Sequence, residues 1–100
     1  GDVVPLIGRD NYTLGRTIEG QAVVPDIDLG PFDGYEQGVS RMHAEVRLAP
    51  EAVTIVDLES ANGTLVNGTR SEPLAPVVLH HGDVIQIGRL RLQLITRTRG

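Results

Sequence analysis

The sequence predicts an all-β fold, in which two antiparallel sheets pack as a β-sandwich. Apolar and polar residues alternate in short segments such as 44–48 and 90–94, which is typical of strands with one buried face. Twelve glycines and six prolines separate such segments, and no window carries a sustained helical period. Short strands joined by frequent turns favour a sandwich.

The predicted strands of the first half differ in how they are buried. An early strand ends in TLGRT, residues 13–17, and the alternating segment 44–48 forms another. The next, AVTIVDL at 52–58, is richer in apolar residues, and its apolar phase shifts between Ile55 and Val56. That shift predicts either a β-bulge or a strand that is buried on both faces.

Two turns organise the second half of the chain. Asn67 and Gly68 both tolerate positive φ, so this pair predicts a tight hairpin turn. HGD at 81–83 is a weaker turn before VIQI at 84–87, and alternation resumes in 90–94. The loops of a sandwich gather at its ends on a rigid scaffold, so polar residues at loop–strand junctions are the candidates for function.

Length and charge limit the class of protein. One hundred residues are expected to form a single domain, 1–100, that is large enough for a hydrophobic core. The absence of cysteine excludes disulfides and thiolate metal sites, and the net charge of −4 argues against sequence-independent nucleic-acid binding. No apolar run is long enough to span a membrane, and no signal peptide is visible. Because the chain opens with Gly1 rather than Met, we expect a piece cut from a longer protein.

The candidate functional side chains suit a phosphate group beside an extended peptide. A phosphate monoester carries nearly two charges and three acceptor oxygens, which favour guanidinium groups, a hydroxyl and free backbone N–H groups. Arg16 offers a guanidinium; in GVSRMHAEV, Ser40 offers a hydroxyl and Arg41 a second cation, on a turn that can expose N–H groups. The Asn62 amide can both donate to and accept from a peptide main chain. Taken singly, these residues also fit a surface arginine, a turn-capping serine and a turn asparagine.

Four motifs in one order carry a family resemblance. TLGRT, GVSRMHAEV, SANGT at 60–64 and VNGT at 66–69 together resemble the forkhead-associated (FHA) domain, a phosphothreonine-binding β-sandwich. The family pattern is Gly-Arg, then Ser-x-x-His, then Asn-Gly-Thr closely followed by Asn-Gly. Each motif is weak alone, but in this order and spacing they are specific, and the resemblance covers about Leu6 to Ile95.

The resemblance implies a role for each motif residue, with the binding loops at one end of the sandwich. It implies that Arg16 and Ser40 contact the phosphate, that Arg41 assists them, and that Asn62 holds the peptide backbone. It also implies a preference for phosphothreonine over phosphoserine, because the threonine methyl group packs in a small apolar niche. Three further residues are implied to structure the loops from within the fold: Gly15, His43 and Gly63.

The sequence departs from the family pattern at two positions. The residue before the family's Asn-Gly is often Ser or Thr, whereas Ala61 stands here and removes a hydroxyl contact. The residue after the family's serine is often Asn, whereas Arg41 stands here and adds a cation. Nearby, we expect Asp57 to tie down the loop that follows it and not to act in catalysis.

The segment DLGPFDGYEQG, residues 28–38, is longer than a minimal hairpin needs and has two interpretations. It is either a solvated surface loop or a specificity element, since the resemblance implies that loops here lie near the residues that flank the phosphothreonine. It carries Asp33, Tyr35 and Glu36, and the two carboxylates would repel acidic flanking residues. We therefore expect acidic residues after the phosphothreonine to be disfavoured; strong enrichment of Asp or Glu there in a peptide array would contradict this.

The function implied by the resemblance is a phosphothreonine-dependent protein–protein interaction module in kinase signalling. Its partner would be a threonine-phosphorylated protein or peptide. The alternative is a phosphate-independent scaffold or assembly domain of the same fold. We expect no catalysis, no cofactor and no metal, a monomeric isolated domain, and a cytoplasmic location in a bacterium.

Two other classes of function are weaker interpretations. A hydrolase would need a triad of Ser40, His43 and Asp83, but nothing like a nucleophile elbow surrounds the serine. A metal site would use His80, His81 and Asp83, but adjacent histidines on a strand point to opposite faces.

Overall fold

The computed structural model describes residues 3–96 of the chain. These residues form strands and one short 3₁₀ helix, Gly30–Phe32, which lies between the second and third strands. The strands in chain order are β1 (Asn11–Gly15), β2 (Ile27–Asp28), β3 (Met42–Leu48), β4 (Val53–Asp57), β5 (Thr64–Val66), β6 (Thr69–Arg70), β7 (Val77–Leu79), β8 (Val84–Ile87) and β9 (Leu90–Gln93).

The strands form two sheets, as the sequence predicted. One sheet has the order β2-β1-β3-β4-β7 and the other has the order β6-β5-β8-β9. Both sheets are built from antiparallel pairs, with one exception: the two-residue strand β2 runs parallel to β1. The prediction of a two-sheet, largely antiparallel sandwich is therefore confirmed.

The core lies between the two sheets and is filled by the apolar face of each alternating strand. Val46 of β3 and Ile55 of β4 pack in one buried cluster with Ile87 of β8. Leu29 and Val39 belong to the same cluster, although both lie in the connection between β2 and β3. Their burial fixes the two ends of this connection on the core, which holds the loop between them in place.

Strand β4 is buried on both faces in its second half. Ile55, Val56 and Asp57 are consecutive and all buried, and the register between β3 and β4 continues without a break. The shifted apolar phase left two alternatives for this strand. The β-bulge is wrong, and burial on both faces is confirmed. The irregular register lies instead between β1 and β3, at Leu14 and Gly15, where it bends the end of β1 toward the loops.

The hairpin turn at Asn67-Gly68 is confirmed. Both residues have positive φ, 49° and 84°, and the turn joins the paired strands β5 and β6. Positive φ at both central residues matches the right-handed twist of the strands that the turn connects.

The two adjacent histidines lie in a turn, because β7 ends at Leu79. The metal-site argument placed His80 and His81 on a strand, which was wrong. The His80 N–H donates to Asp83 Oδ2 at 2.7 Å, whereas His81 Nδ1 accepts from the Thr96 N–H at 2.9 Å. Within residues 3–96, no group of three or more His, Asp and Glu side chains is arranged to hold a metal ion. The same part of the chain contains no helix that is long and apolar enough to cross a membrane.

Val56→Ala should lower the free energy of unfolding by about 2 kcal/mol, because it removes two buried carbon atoms and leaves a small cavity. Val78→Ala is the matched control, since Val78 is 52% exposed on the neighbouring strand β7 and its truncation should cost less than about 0.5 kcal/mol. Urea unfolding monitored by circular dichroism measures both values. Equal costs would mean that the outer face of β4 is not buried.

Candidate functional site

The end of β1 is pressed against the turn that precedes β3. A Cβ on Gly15 would lie 1.8 Å from the Arg41 carbonyl oxygen, so no other residue fits at this position without moving the backbone. The Arg16 N–H donates to that same carbonyl at 3.1 Å, and the Leu29 N–H donates to the Gly15 carbonyl at 2.7 Å. This close backbone approach brings Arg16 beside Ser40 and Arg41.

The Arg16 side chain is held by two contacts. Its Nε donates to the Val39 carbonyl at 2.6 Å, and its guanidinium carbon lies 5.0 Å from the centroid of the Tyr35 ring. A guanidinium at this distance from a tyrosine ring is attracted by the ring's negative face. Among residues 3–96, the terminal NH₂ groups of Arg16 have no hydrogen-bond acceptor, so these donors remain available to a ligand.

The residue after Arg16 is also fixed, through Asp28. Oδ1 of Asp28 accepts from the Thr17 N–H at 3.0 Å and from the Gly30 N–H at 2.9 Å. These two backbone hydrogen bonds hold the pKa of the Asp28 carboxyl below its ordinary value, because they favour the charged form. The carboxylate thus ties the loop after β1 to the start of the 3₁₀ helix.

Ser40 and Arg41 differ in how far they are engaged. Ser40 Oγ accepts from the Ala61 N–H at 3.0 Å, which leaves its own hydroxyl hydrogen free to donate. The Ser40 N–H donates to His43 Nδ1, so this N–H of the turn is already engaged within the fold. Arg41 is exposed and lines a shallow groove with Gln21, Val23 and Met42.

His43 is fully buried and joins two loops through its ring. Nδ1 accepts from the Ser40 N–H at 3.0 Å, which requires the proton to sit on Nε2, and Nε2 donates to the Gly63 carbonyl at 2.8 Å. Burial lowers the pKa of His43 below its ordinary value, although the bond to Gly63 and the charge of Asp57 oppose the shift. A neutral imidazole of one tautomer therefore links the loop before β3 to the loop before β5.

Asp57 organises the loop from β4 to β5. Its Oδ1 accepts from Ser60 Oγ at 2.6 Å and from Thr64 Oγ1 at 2.7 Å, and Oδ2 accepts from the Ser60 N–H at 3.2 Å. Burial alone would raise the pKa of Asp57, but the hydrogen bonds from Ser60 and Thr64 outweigh it and leave the pKa below its ordinary value. Asp57 thus ties down the following loop, as expected.

The Asn62 amide is oriented but not saturated. Its Nδ2 donates to the Gly38 carbonyl at 2.9 Å, while among residues 3–96 its Oδ1 has no donor. Gly38 has a φ of 78°, and a Cβ there would lie 2.6 Å from Asn62 Nδ2, so glycine permits this contact. The amide keeps an acceptor oxygen and a second N–H hydrogen for a peptide backbone.

Residues 33–38, here termed the 33–38 loop, carry the three side chains that belong to the specificity interpretation of this loop: Asp33, Tyr35 and Glu36. All three are exposed, Tyr35 by 73%. Arg89, in the turn between β8 and β9, clamps the loop by donating from its backbone to the Gln37 carbonyl at 2.7 Å and from its side chain to the Glu36 carbonyl. The acid-repulsion argument counted only the two carboxylates and missed this arginine.

A second arginine that the sequence analysis missed lies against Gly63. The guanidinium carbon of Arg70 would be 2.8 Å from a Cβ on Gly63, so the side chain covers the open face of that glycine. Gly63 has a φ of 85°, which also favours glycine. No motif marks Arg70 or Arg89: the β5–β6 hairpin brings Arg70 beside Leu65, and a contact between loops distant in sequence brings Arg89 to Glu36 and Gln37.

The loops before β3 and before β5 meet at one end of the sandwich, here termed the loop end. It contains every predicted phosphate- and peptide-contacting residue, together with the three loop-structuring residues. It does not contain Asp83, whose Oδ1 accepts from Asn67 at the β5–β6 turn, the opposite end of β5 from Thr64. His43 contacts the backbone of Ser40 and not its hydroxyl. The hypothetical hydrolase triad of Ser40, His43 and Asp83 is therefore not assembled.

Comparison with known proteins agrees with the motif order. The family model of the FHA domain matches residues 6–88. The chain belongs to the FHA domain family. This chain is 48% identical over 85 residues to the glycogen accumulation regulator GarA of Mycobacterium tuberculosis. The alignment covers 85% of this chain and 49% of GarA. The chain therefore spans about half the length of this curated relative.

Solved structures share the fold. One, from a study of phosphothreonine-dependent FHA domain interactions, has a TM-score of 0.72 and 26% identity over 93% of this chain and 83% of its own. Another is the N-terminal FHA domain of Saccharomyces cerevisiae Rad53p in complex with a phosphothreonine peptide, with a TM-score of 0.61 and 28% identity over 78% of this chain and 56% of its own.

His43→Gln should flatten the pH dependence of this FHA domain's stability. The pKa of His43 in the folded state lies below its ordinary value of 6.5. As the pH falls, the unfolded state therefore binds a proton at a higher pH than the folded state does. The free energy of unfolding of the parent domain should then fall as the pH drops below 6.5, by at most about 1.4 kcal/mol per pH unit.

Urea unfolding at a series of pH values measures the slope. His80→Gln is the matched control, since the His80 side chain is 78% exposed, and it should keep the parent slope. A parent slope that survives in His43→Gln would contradict the assignment of this proton to His43.

Proposed function

We propose that this FHA domain is a phosphothreonine-dependent interaction module that binds an extended, threonine-phosphorylated segment of a partner protein at its loop end. The observation that carries the proposal is the Arg16 side chain. Its Nε bond to Val39 and its contact with Tyr35 orient the guanidinium, while the terminal NH₂ groups stay available beside Ser40. An oxyanion is the ligand that such a group binds best.

The phosphate would be held by charge-assisted hydrogen bonds. Arg16 donates two parallel N–H groups, Ser40 donates its hydroxyl hydrogen, and Arg41 adds a second cation from the adjacent position. Because Arg16 and Ser40 are already restrained by backbone contacts, little conformational entropy is lost when the dianion binds. The hydroxyl that Ala61 lacks is not replaced, but the Ala61 N–H orients Ser40 Oγ instead.

Asn62 would hold the peptide main chain next to the phosphothreonine. Its amide oxygen accepts a peptide N–H while its remaining N–H hydrogen donates to a peptide carbonyl. The bond to Gly38 sets the amide plane before the ligand arrives. Phosphothreonine as the ligand is supported by two similar structures, since the Rad53p FHA domain is complexed with a phosphothreonine peptide and the other structure comes from a study of phosphothreonine-dependent interactions.

The proposal includes no catalytic step. Both ring nitrogens of His43 are bonded to backbone groups, which leaves no free imidazole nitrogen to act as a base on the Ser40 hydroxyl. GarA, a relative, is named as a regulator, and we infer a regulatory binding role here. As part of this proposal, the domain acts as a monomer in the cytoplasm and binds protein and not nucleic acid, in keeping with its net charge of −4.

Arg16→Ala should reduce affinity for a phosphothreonine peptide by roughly 2–5 kcal/mol, because the dianion loses its main partner. Isothermal titration calorimetry with a degenerate phosphothreonine pool measures this, beside unphosphorylated and phosphoserine pools. Phosphoserine should bind roughly tenfold more weakly, the value of about one buried methyl group. Arg91→Ala, which removes the same charge from an exposed position of β9, should bind like the parent.

Binding that ignores the phosphate, or that survives Arg16→Ala, would contradict the proposal. It would favour the phosphate-independent scaffold instead.

Tyr35→Leu should weaken phosphothreonine binding about two- to fivefold, because the ring that orients Arg16 is lost. Tyr35→Phe keeps the aromatic face and should retain parent affinity, which separates the ring's effect from that of the hydroxyl. Calorimetric titration of one phosphothreonine peptide into each variant measures the change. Equal affinities for the leucine and phenylalanine variants would show that the cation–π contact contributes nothing.

A further inference from the structure

Arg70 is a cation at the loop end. It does not belong to the phosphate cradle, which is the name used here for Arg16, Ser40 and Arg41. It is the last residue of β6 and pairs with Leu65 of β5. Its guanidinium lies flat against Gly63, with the carbon 2.8 Å and Nη2 3.0 Å from the point where a Cβ would stand. The residue is exposed, so the charge is held at the surface directly beside Asn62.

Within residues 3–96, Arg41 and Arg91 also lack a side-chain hydrogen bond or ion pair, but four other arginines have such partners. Arg16 and Arg89 donate to backbone carbonyls, and Arg9 and Arg47 pair with carboxylates. Among residues 3–96, Arg70 has neither a carbonyl acceptor nor a carboxylate partner for its side chain. Its packing on Gly63 therefore fixes the position of a guanidinium whose hydrogen-bond donors are unused.

The loop from β4 to β5 relates Arg70 to the phosphate cradle. Ala61, Asn62 and Gly63 are consecutive; the first bonds Ser40 Oγ and the last carries Arg70 on its open face. Two Cα steps span at most about 7 Å, and an extended peptide advances about 3.3 Å per residue. A peptide residue about one to three positions from the phosphothreonine therefore comes within reach of the Arg70 guanidinium.

We propose that Arg70 forms a second anion subsite, which binds an acidic or phosphorylated side chain near the phosphothreonine in the same partner segment. This inference rests on the proposed function and deepens it. Asp33 and Glu36 lie in the 33–38 loop, which meets Asn62 through Gly38 and is clamped there by Arg89, whereas Arg70 packs on Gly63, the residue after Asn62. The repulsion expected from the two carboxylates is therefore not expected beside Arg70.

The test is a positional scan. One phosphothreonine peptide with alanine at all flanking positions is the neutral reference. A first series places a single aspartate at each position on either side of the phosphothreonine, and a second series places a phosphoserine there, which separates carboxylate from phosphate as the preferred anion. Each peptide is titrated into the parent domain, into Arg70→Gln and into Arg91→Gln, which removes an equal charge from an exposed position of β9.

We expect one position, or two adjacent ones, at which aspartate tightens binding to the parent domain about two- to fivefold at low salt. Phosphoserine at that position should tighten binding further, since it carries nearly two charges. Arg70→Gln should remove both gains and leave affinity for the neutral peptide unchanged, whereas Arg91→Gln should keep them. The gain should also shrink as salt rises.

Three outcomes would overturn the inference. If no position gains from an anion, or if the gain survives Arg70→Gln, the neutral peptide still binds and only the second subsite fails. If the neutral phosphothreonine peptide does not bind to the folded parent domain at all, the proposed function fails with it.

Discussion

A buried imidazole with one fixed tautomer holds the loop end of this sandwich together. The Ser40 N–H can only donate, so His43 must accept at Nδ1 and donate at Nε2 to the Gly63 carbonyl. Ser40 precedes a strand of the first sheet and Gly63 precedes a strand of the second. A side chain that never reaches the surface thus fixes the two loops to each other from below, and the bonds from Ala61 to Ser40 and from Asn62 to Gly38 join them above it.

The site residues are restrained mainly through backbone atoms. Arg16 is bonded to the carbonyl of Val39, Asn62 to the carbonyl of Gly38, and Arg89 to the carbonyls of Glu36 and Gln37. Each contact depends on the course of the chain and not on a neighbouring side chain. Apart from Tyr35, whose ring also contacts Arg16, exposed residues of the loop can thus be substituted without removing the contacts that hold the cationic groups.

Local patterns in the sequence predicted much of the fold. Alternation identified β3 and β9, and Asn67-Gly68 identified the hairpin, because strand period and positive φ are properties of neighbouring residues. The motif order predicted which residues gather at one end, and their contacts to a ligand remain predictions. The strand end at Leu79 was missed because the apolar run gives no stop signal before His80 and His81. Arg70 was missed because the predicted hairpin does not show that its side chain packs on Gly63, and Arg89 was missed because its contacts are with a loop far away in the chain.

The connection from β2 to β3 begins at buried Leu29 and ends at buried Val39. Because both ends are buried in the core, the residues between them form a loop whose two ends are held in fixed positions. The exposed residues Asp33 and Glu36 can be varied while Arg16 keeps its place, since Val39 contributes a carbonyl that any amino acid would provide. Gly34 must be kept, because a Cβ there would lie 2.7 Å from the Leu29 carbonyl oxygen, and an aromatic residue is needed in place of Tyr35. Side chains that a flanking peptide would meet can therefore be altered without moving the groups proposed to hold the phosphate.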